Sequence, residues 1–435
     1  MILSPGVWFG HGAAIRTAQP AQPVAPLRCG STLPTRCPWP LLWSFGVGGV
    51  LGSRRNQERC RLCRRSLPAG KEVEVDFKGH RVRCVTCAGS VSKPDIVLVH
   101  GATGVSLVSK QLDWHSSMRR LEASEAHRTS QKRMDQCVMN ACSFEIIGRF
   151  HLEVAKVVMV SQVAGFGGSI EYWRRLIPAL SAEGYTVHAF DLLGLGLSEK
   201  PSTEYSIELW AEQVTDFVSK LEKDVVLVGN SFGSLISLVS ATQRRPKGIV
   251  MLNCAVGMNN KNMVKSPKMN DLQRLVATLI LGLVDLIFRS PILDMAFESF
   301  ATKEQVAAVL KNLYPTNPSA VDDELAEGFV RPAGTPGALE VLRQIYTGDP
   351  GPTPMELFAK GFPSDLPLKV IWGDQDNLTP IKGDVGSFFT ELAKERKTID
   401  FEIISGGHLP HDENPQAVNK AVLSWLSREP WTSGS

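Results

Sequence analysis

Short apolar runs alternate with segments of helical period along the chain from residue 166 onward. The apolar runs occupy 186–190, 225–229, 248–253, 368–373 and 400–404, and the helical periods occupy 169–184, 206–223, 234–245 and 415–429. Apolar runs that are each followed by a helix are typical of parallel strands buried on both faces of a sheet. A further strand at 95–99 and a hairpin at 72–87 bring the predicted sheet close to eight strands.

The alternation is interrupted between 257 and 361, where the sequence contains no clear strand. The pattern of this block is helical, and 272–288 is its most apolar part. Inserted at the carboxyl ends of the strands, the block would cover that edge of the sheet as a cap. The predicted fold is therefore α/β, with a mostly parallel central sheet flanked by helices, a core at 70–256 and 362–428, and a helical cap at 257–361.

The residues VVLVGNSFGSL at 225–235 place a Gly-x-Ser-x-Gly pattern between an apolar strand and a helix. In a sharp strand-to-helix turn, Gly229 and Gly233 allow close approach of neighbouring backbones, and Ser231 points out at the helix N-terminus. Free backbone N–H groups at such a terminus can bind an oxyanion. Ser231 is therefore the predicted nucleophile.

A nucleophilic serine needs a base, and the base needs a carboxylate that orients it. His408 lies in a glycine-flanked loop directly after the last core strand, and His411 follows three residues later. The strand at 368–373 ends in two aspartates, Asp374 and Asp376. We predict His408 as the base and Asp376 as the acid. His411 is expected to be a loop residue without a catalytic role, and Asp374 is expected to form a turn.

With these motifs, the chain resembles the α/β-hydrolase family over residues 70–428, apart from 102–165. More narrowly, five motifs are similar to those of the plastid hydrolases of plants and algae that include chlorophyll dephytylase. They are MLNCAVGMNNKN (251–262), AVDDEL (320–325), YTGDPGPTP (346–354), WGDQDNLTP (372–380) and GGHLPHDENP (406–415). The resemblance implies an α/β-hydrolase fold and a triad of Ser231, Asp376 and His408. It also implies cleavage of the phytyl ester of chlorophyll through an acyl-enzyme, with no cofactor.

Other functions share parts of this pattern. A general plastid carboxylesterase or lipase and a carbon–carbon bond hydrolase use the same triad, so the sequence leaves them open. A hydrolase-fold binding protein with impaired catalysis is the non-enzymatic alternative. Dehalogenases and epoxide hydrolases of this fold need an aspartate nucleophile, and residue 231 is a serine.

A segment of sixty-four residues, 102–165, separates the strand that ends in His100-Gly101 from Phe166. Joining Gly101 to Phe166 gives VLVHGFGGSIEYW, the short turn that the family resemblance implies. In that turn the backbone N–H groups of Phe232 and Phe166 form the oxyanion hole. The residues at both borders permit codons with intron-border dinucleotides in matching phase. We predict that 102–165 is a retained intron absent from the active protein; the alternative is a genuine insertion near the site.

The apolar part of the cap, residues 275–288, is compatible with three roles. Residues 275–288 carry one charged side chain, Asp285, and are too few to span a bilayer. They can line a pocket for a long isoprenoid tail, lie against a membrane surface, or pack on neighbouring cap helices. Leu279 and Leu283 are the predicted substrate-binding residues.

The chain's net charge of +3 belongs to its N-terminus. Residues 1–57 contain five arginines and no acidic residue, so the remainder carries 3 − 5 = −2. A remainder so close to neutral gives no reason to expect nucleic-acid binding. A leader without acids is typical of organelle transit peptides. We predict a plastid transit peptide at 1–60, location in the stroma or at the thylakoid surface, and peripheral membrane contact.

Four cysteines have the spacing of a zinc site. Cys60 and Cys63 form one Cys-x-x-Cys pair, and Cys84 and Cys87 form another. The alternating pattern at 72–87 predicts a strand instead, which would direct Cys84 and Cys87 to opposite faces. We therefore assign no metal.

Overall fold

The computed structural model describes residues 70–90, 92–101, 168–221, 223–291, 297 and 302–428. The predicted leader, Cys60, Cys63, Phe166 and the segment 102–165 lie outside these residues, so the predictions made for them stay predictions.

Eight strands form one sheet in the described chain, in the order β1-β2-β4-β3-β5-β6-β7-β8. β1 and β2 pair with antiparallel neighbours, and the pairs from β4 to β8 are parallel. The strands are β1 (Lys71–Phe77), β2 (His80–Cys87), β3 (Asp95–Val99), β4 (Val187–Phe190), β5 (Val225–Asn230), β6 (Gly248–Leu252), β7 (Leu368–Gly373) and β8 (Ile399–Ile404). These bounds confirm the strands predicted from the apolar runs and the hairpin.

The central strands carry the hydrophobic core. Every residue of β3, β4, β5, β6 and β7 is buried, which is what continuous apolar runs predict for strands covered on both faces. β8 lies at the edge of the sheet and has buried, half-buried and exposed positions. The hairpin turns at Lys78 and Gly79, both with positive φ, as the Lys-Gly pair predicts.

Eleven helices are described besides short 3-10 turns. They are α1 (Leu176–Ala182), α2 (Ile207–Leu221), α3 (Phe232–Gln243), α4 (Asp271–Arg289), α5 (Lys303–Leu313), α6 (Asp323–Ala333), α7 (Ala338–Thr347), α8 (Pro354–Ala359), α9 (Asp384–Glu395), α10 (Pro410–Glu413) and α11 (Pro415–Arg428).

The predicted helix at 169–184 is divided into a 3-10 turn, Ile170–Trp173, and α1. Two contacts hold the turn on the core: the Ile170 N–H donates to Asp191, and the Tyr172 hydroxyl accepts from the Gly101 N–H. Pro178 also lacks the N–H that would donate to the Arg174 carbonyl and join the turn to α1. Local anchoring and a missing donor therefore break the helical period.

The cap consists of the five helices α4 to α8, placed between β6 and β7. Within the described residues of 257–361 the chain forms no strand, which confirms the predicted helical block. None of the described helices is long and apolar enough to cross a membrane.

Cys84 and Cys87 lie on β2 with free, buried thiols. Burial raises the pKa of the Cys84 thiol to about 12, which keeps it protonated at neutral pH. Because Cys60 and Cys63 lie outside the described residues, the structure does not test the four-cysteine zinc site.

Candidate active site

Ser231 lies at the turn between β5 and α3 with a φ of 56°, one of three positive φ values among the described non-glycine residues. The turn is crowded on both sides. A Cβ at Gly229 would lie 2.4 Å from the Gly233 carbonyl oxygen, and a Cβ at Gly233 would lie 2.2 Å from the Val99 carbonyl oxygen. The strained, glycine-flanked turn predicted from the sequence is confirmed.

Asp376 and His408 come from two different loops and meet in the interior. The carboxylate oxygen Oδ2 of Asp376 lies 2.8 Å from Nδ1 of His408, and both side chains are almost fully buried. Thr379 donates its hydroxyl to the same Oδ2 at 2.6 Å, and the Leu378 and Thr379 N–H groups donate to Oδ1. Burial acts to raise the pKa of Asp376, but the facing His408 and these hydrogen bonds lower it below its ordinary 3.8.

The other aspartate of the pair has a different position. Asp374 is exposed, and its Oδ1 accepts a hydrogen bond from the Gly406 N–H at 3.0 Å. This hydrogen bond fixes the loop that leads to His408. Among the hydrogen bonds of the described residues, none joins Asp374 to the His408 imidazole. This placement agrees with the turn-forming role predicted for Asp374.

The remaining ring nitrogen of His408 is free to act. An ionised Asp376 only accepts, so the proton of the neutral imidazole lies on Nδ1. Nε2 is then an acceptor, and within the described residues it has no hydrogen-bond partner. His408 and Ser231 line the same cavity. The structure thus brings the three predicted residues to one edge of the sheet.

His411 is not an alternative base at this site. Its ring packs on Tyr172 and Trp173, with centroids 4.8 Å and 4.5 Å away, and is fully buried. Burial, together with the nearby His408, lowers the pKa of His411 to about 3. The imidazole stays neutral and serves as a packing group beside the His408 loop.

The predicted oxyanion hole is partly described. Phe232 is the first residue of α3, where backbone N–H groups have no acceptor within the helix. Gly101 lies against the same turn, since a Cβ there would be 2.9 Å from Ser231 Cβ. Gly168 in turn contacts Gly101 closely enough that a Cβ on Gly168 would overlap the Gly101 carbonyl oxygen. The chain segments on the two sides of the insertion therefore meet beside Ser231.

Two asparagines that the sequence reasoning did not single out hold the His408 loop. Asn230 donates to the His408 carbonyl at 3.1 Å, and Asn253 donates to the Gly407 carbonyl at 2.8 Å. Asn253 also accepts from the Gly373 N–H at 2.8 Å. Their positions in the sequence could have indicated this role, because both residues lie at the carboxyl end of a core strand, where side chains of neighbouring parallel strands converge.

The cap supports the same loop from the other side. Glu413 accepts hydrogen bonds from the Thr316 and Asn317 N–H groups and from Gly407 N–H, and the His408 N–H donates to the Leu313 carbonyl. The loop and the cap segment that follows α5 therefore form one bonded unit.

A buried arginine adds a second link between these parts. Arg174 bonds to Asp412 at 2.7 Å and to Asp322, the N-cap of α6, at 2.6 Å. Tyr314 also donates to Asp412 at 3.0 Å. The position of His408 thus depends on the cap as well as on the sheet.

A cavity of about 710 Å³ opens beside Ser231 and His408, and its lining is mainly apolar. Part of the lining comes from α4, which contributes Leu272, Gln273, Val276, Ala277 and Ile280. This size lies within the range of small-molecule sites.

The role in substrate binding predicted for Leu279 and Leu283 stays a prediction. They do not line the cavity, and their side chains are 65% and 39% exposed. The apolar run predicts a helix but does not determine its rotation, and packing of Val284 and Phe288 on the cap turns Leu279 outward.

Among the described residues, no group of three or more His, Cys, Asp and Glu side chains has the arrangement of a metal site.

Comparison with known proteins places the chain among hydrolases. The model of the Alpha/beta hydrolase family matches residues 157–421. The uncharacterized hydrolase YugF of Bacillus subtilis is 26% identical over 267 residues, which cover 61% of this chain and 88% of that protein. The chloroplastic pheophytinase of Arabidopsis thaliana is 27% identical over 301 residues, covering 60% of each chain.

The solved structure of epoxide hydrolase VrEH1 from Vigna radiata superposes with a TM-score of 0.51, covering 83% of this chain and 99% of that one. At 15% identity it supports the fold alone.

Proposed function

The chain belongs to the alpha/beta hydrolase family, and we propose that it is a serine hydrolase that cleaves a carboxylic ester through an acyl-enzyme. The observation that carries the proposal is the buried Asp376–His408 pair, with Oδ2 and Nδ1 2.8 Å apart, beside the cavity that His408 and Ser231 both line. A nucleophile, a base and an orienting acid are the groups that acyl transfer needs.

The proposed reaction has two steps. Ser231 Oγ attacks the ester carbonyl carbon and gives its proton to His408 Nε2, while Asp376 stabilises the imidazolium. The Phe232 N–H donates to the oxyanion that forms. Collapse of this intermediate breaks the ester C–O bond, and His408 returns the proton to the departing alcohol. Water, activated by His408, then hydrolyses the acyl-enzyme and releases the acid.

We further propose an apolar ester as the substrate, with the phytyl ester of chlorophyll or of a related pigment as the first candidate. The cavity supports an apolar ligand because Val276, Ala277, Ile280 and Trp372 contribute to its wall. The motifs at 251–262, 320–325 and 346–354 resemble the dephytylase-like plastid hydrolases, and the similarity to the chloroplastic pheophytinase agrees with this choice. On the same grounds, and because the leader lacks acidic residues, we propose delivery to the chloroplast.

Competing chemistries differ in what they demand of residue 231. Epoxide hydrolysis in this fold needs an aspartate nucleophile, and this chain has Ser231. A carbon–carbon bond hydrolase or a general lipase uses the same triad and differs in substrate. A binding protein would have no need of an activated serine, so reactivity at Ser231 separates it from the enzymes.

The experiment has two arms. First, a fluorophosphonate probe should label the full chain and should not label Ser231→Ala, since labelling requires an activated serine. Second, the purified chain is incubated with chlorophyll a, pheophytin a and short acyl esters, and the products are identified. Release of phytol supports the pigment ester, and hydrolysis of short esters alone supports a general esterase. Absence of labelling in both the full chain and the version that lacks 102–165 would overturn the proposed hydrolase.

A further inference from the structure

Large hydrophobic side chains that face solvent are concentrated on one helix of the described chain. Of the eight such residues, seven lie on α4 and the other, Ile403, lies on β8. The seven are Leu272, Leu275, Val276, Leu279, Ile280, Leu283 and Leu286. Contiguous exposed apolar surface marks a place where another molecule binds.

These side chains form one continuous face of α4. Successive residues of a helix are rotated by roughly 100°, so Leu275, Leu279 and Leu286 lie on the side opposite the buried Val284 and Phe288. We call the surface formed by the seven exposed residues the outer face of α4. Its first and last members are fourteen residues apart, which corresponds to about 21 Å along the helix.

The outer face leads directly into the cavity. Leu272, Val276 and Ile280 are exposed and also line the cavity beside Ser231. An apolar ligand that leaves the outer face therefore reaches the nucleophile along apolar side chains. This continuity links whatever covers the helix to the proposed hydrolysis.

The surroundings of the outer face are basic. Residues 260–289 carry five basic side chains and two acidic ones, a net charge of +3 that equals that of the whole chain. The basic residues are Lys261, Lys265, Lys268, Arg274 and Arg289. Lys265 lies 3.8 Å from Glu356 and Lys268 lies 3.7 Å from Asp384, two acidic residues outside this segment, and counting them leaves a local net charge of 3 − 2 = +1.

We propose that the outer face of α4 docks the protein on an anionic lipid surface and places the mouth of the cavity against that surface. A helix with an apolar face and basic flanks lies in the plane of a lipid interface, with the apolar side chains immersed and the basic ones near anionic headgroups. A second copy of the chain fits less well, because a symmetric contact through α4 would bring two positively charged segments together. The substrate-delivery part of this inference rests on the proposed function; the docking part does not.

The test is co-sedimentation of the full chain with phosphatidylcholine vesicles and with vesicles that also contain phosphatidylglycerol. The variant is Leu275→Gln/Leu286→Gln, since neither residue lines the cavity. The matched control is Ile403→Gln, which removes an exposed hydrophobic side chain of similar exposure from β8. Turnover of a soluble short ester and light scattering are measured on each protein.

The expected result is stronger partition onto the anionic vesicles, weakened by added salt. The double variant should partition about tenfold less, whereas the control should match the unsubstituted chain. Short-ester turnover should be equal in all three proteins.

Equal vesicle binding by the double variant, or no binding by the unsubstituted chain, would overturn the proposal. So would a dimer that the double substitution dissociates, because a second copy would then cover the helix. Vesicle binding without any esterase activity would leave the docking surface intact and contradict only the proposed hydrolysis.

Discussion

At the carboxyl edge of the sheet, the buried carboxylate of Asp376 is paired with polar groups, whereas on the outer face of α4 apolar side chains face solvent. Asp376 is fully buried and its carboxylate accepts from His408, Thr379 and the Leu378 N–H. Leu279 and Leu286 are 65% and 68% exposed.

The two regions differ in how much a substitution is expected to change the free energy of unfolding. A buried carboxylate without partners would be strongly destabilising, so the geometry around Asp376 and His408, the catalytic edge of the proposed hydrolase, is tightly constrained. Exposed leucines cost the monomer little and carry information about what the protein contacts. Substitutions at the sheet edge should therefore change the reaction rate, and substitutions on α4 should change which substrates and surfaces are used.

The largest effect should come from the acid of the catalytic edge. Asp376→Asn should lower kcat by about 10⁴-fold, because an amide favours the wrong imidazole tautomer. The matched control is Asp374→Asn, which alters the hydrogen bond to Gly406 N–H and leaves His408 oriented. Steady-state kinetics on one short ester compare the variants. A larger loss in Asp374→Asn would mean that the acid has been assigned to the wrong aspartate.

The insertion next to this edge provides the second comparison. Deleting 102–165 joins Gly101 to Phe166 and should supply the second oxyanion donor, which is worth about 10²–10³-fold in rate. Contact of Gly168 with Gly101 agrees with a junction that can close. The full chain and the deletion are assayed side by side, and the transcript is sequenced across the junction. An inactive deletion, with only the long transcript found, would mean that 102–165 belongs to the enzyme.

On the cap, two neighbouring residues of α4 should have different effects. Ile280→Ser removes apolar surface from the cavity and should lower kcat/KM for monomeric long-chain esters by about tenfold, with little change for short esters. Leu279→Ser is the matched control, since Leu279 does not line the cavity. Both variants are assayed on esters of increasing chain length, without lipid. Equal losses at all lengths would show that Ile280 only supports the helix.

The smallest effect should be a pH dependence of stability at the catalytic edge. The pKa of Asp376 is lowered in the folded protein, so the ionised carboxylate stabilises the fold above its unfolded pKa of about 3.9. That contribution is lost as the pH falls through the lower folded pKa, at ~1.4 kcal/mol for each unit of difference. Denaturant unfolding of the unsubstituted chain and Asp376→Asn should therefore converge below about pH 4. A stability difference independent of pH would contradict the assigned direction.

The secondary-structure elements and the candidate reacting groups could be predicted from the amino-acid sequence. Apolar runs located the strands because burial on both faces requires continuous apolar sequence. The Gly-x-Ser-x-Gly pattern located the strained turn at Ser231 because close backbone contacts at Gly229 and Gly233 leave no room for a side chain. The choice of Asp376 over Asp374 followed from distance along the loop after β7, and the structure places Asp376 against His408.

The side chains that meet around these groups could be identified only from the folded chain. Asn230 and Asn253 hold the His408 loop, and no local sequence pattern reports contacts between residues more than a hundred positions apart, such as Asn230 with His408. The rotation of α4 was decided in the same way. An apolar helix sequence fits several orientations, and packing against the cap selects the one that turns Leu279 to solvent and Ile280 to the cavity.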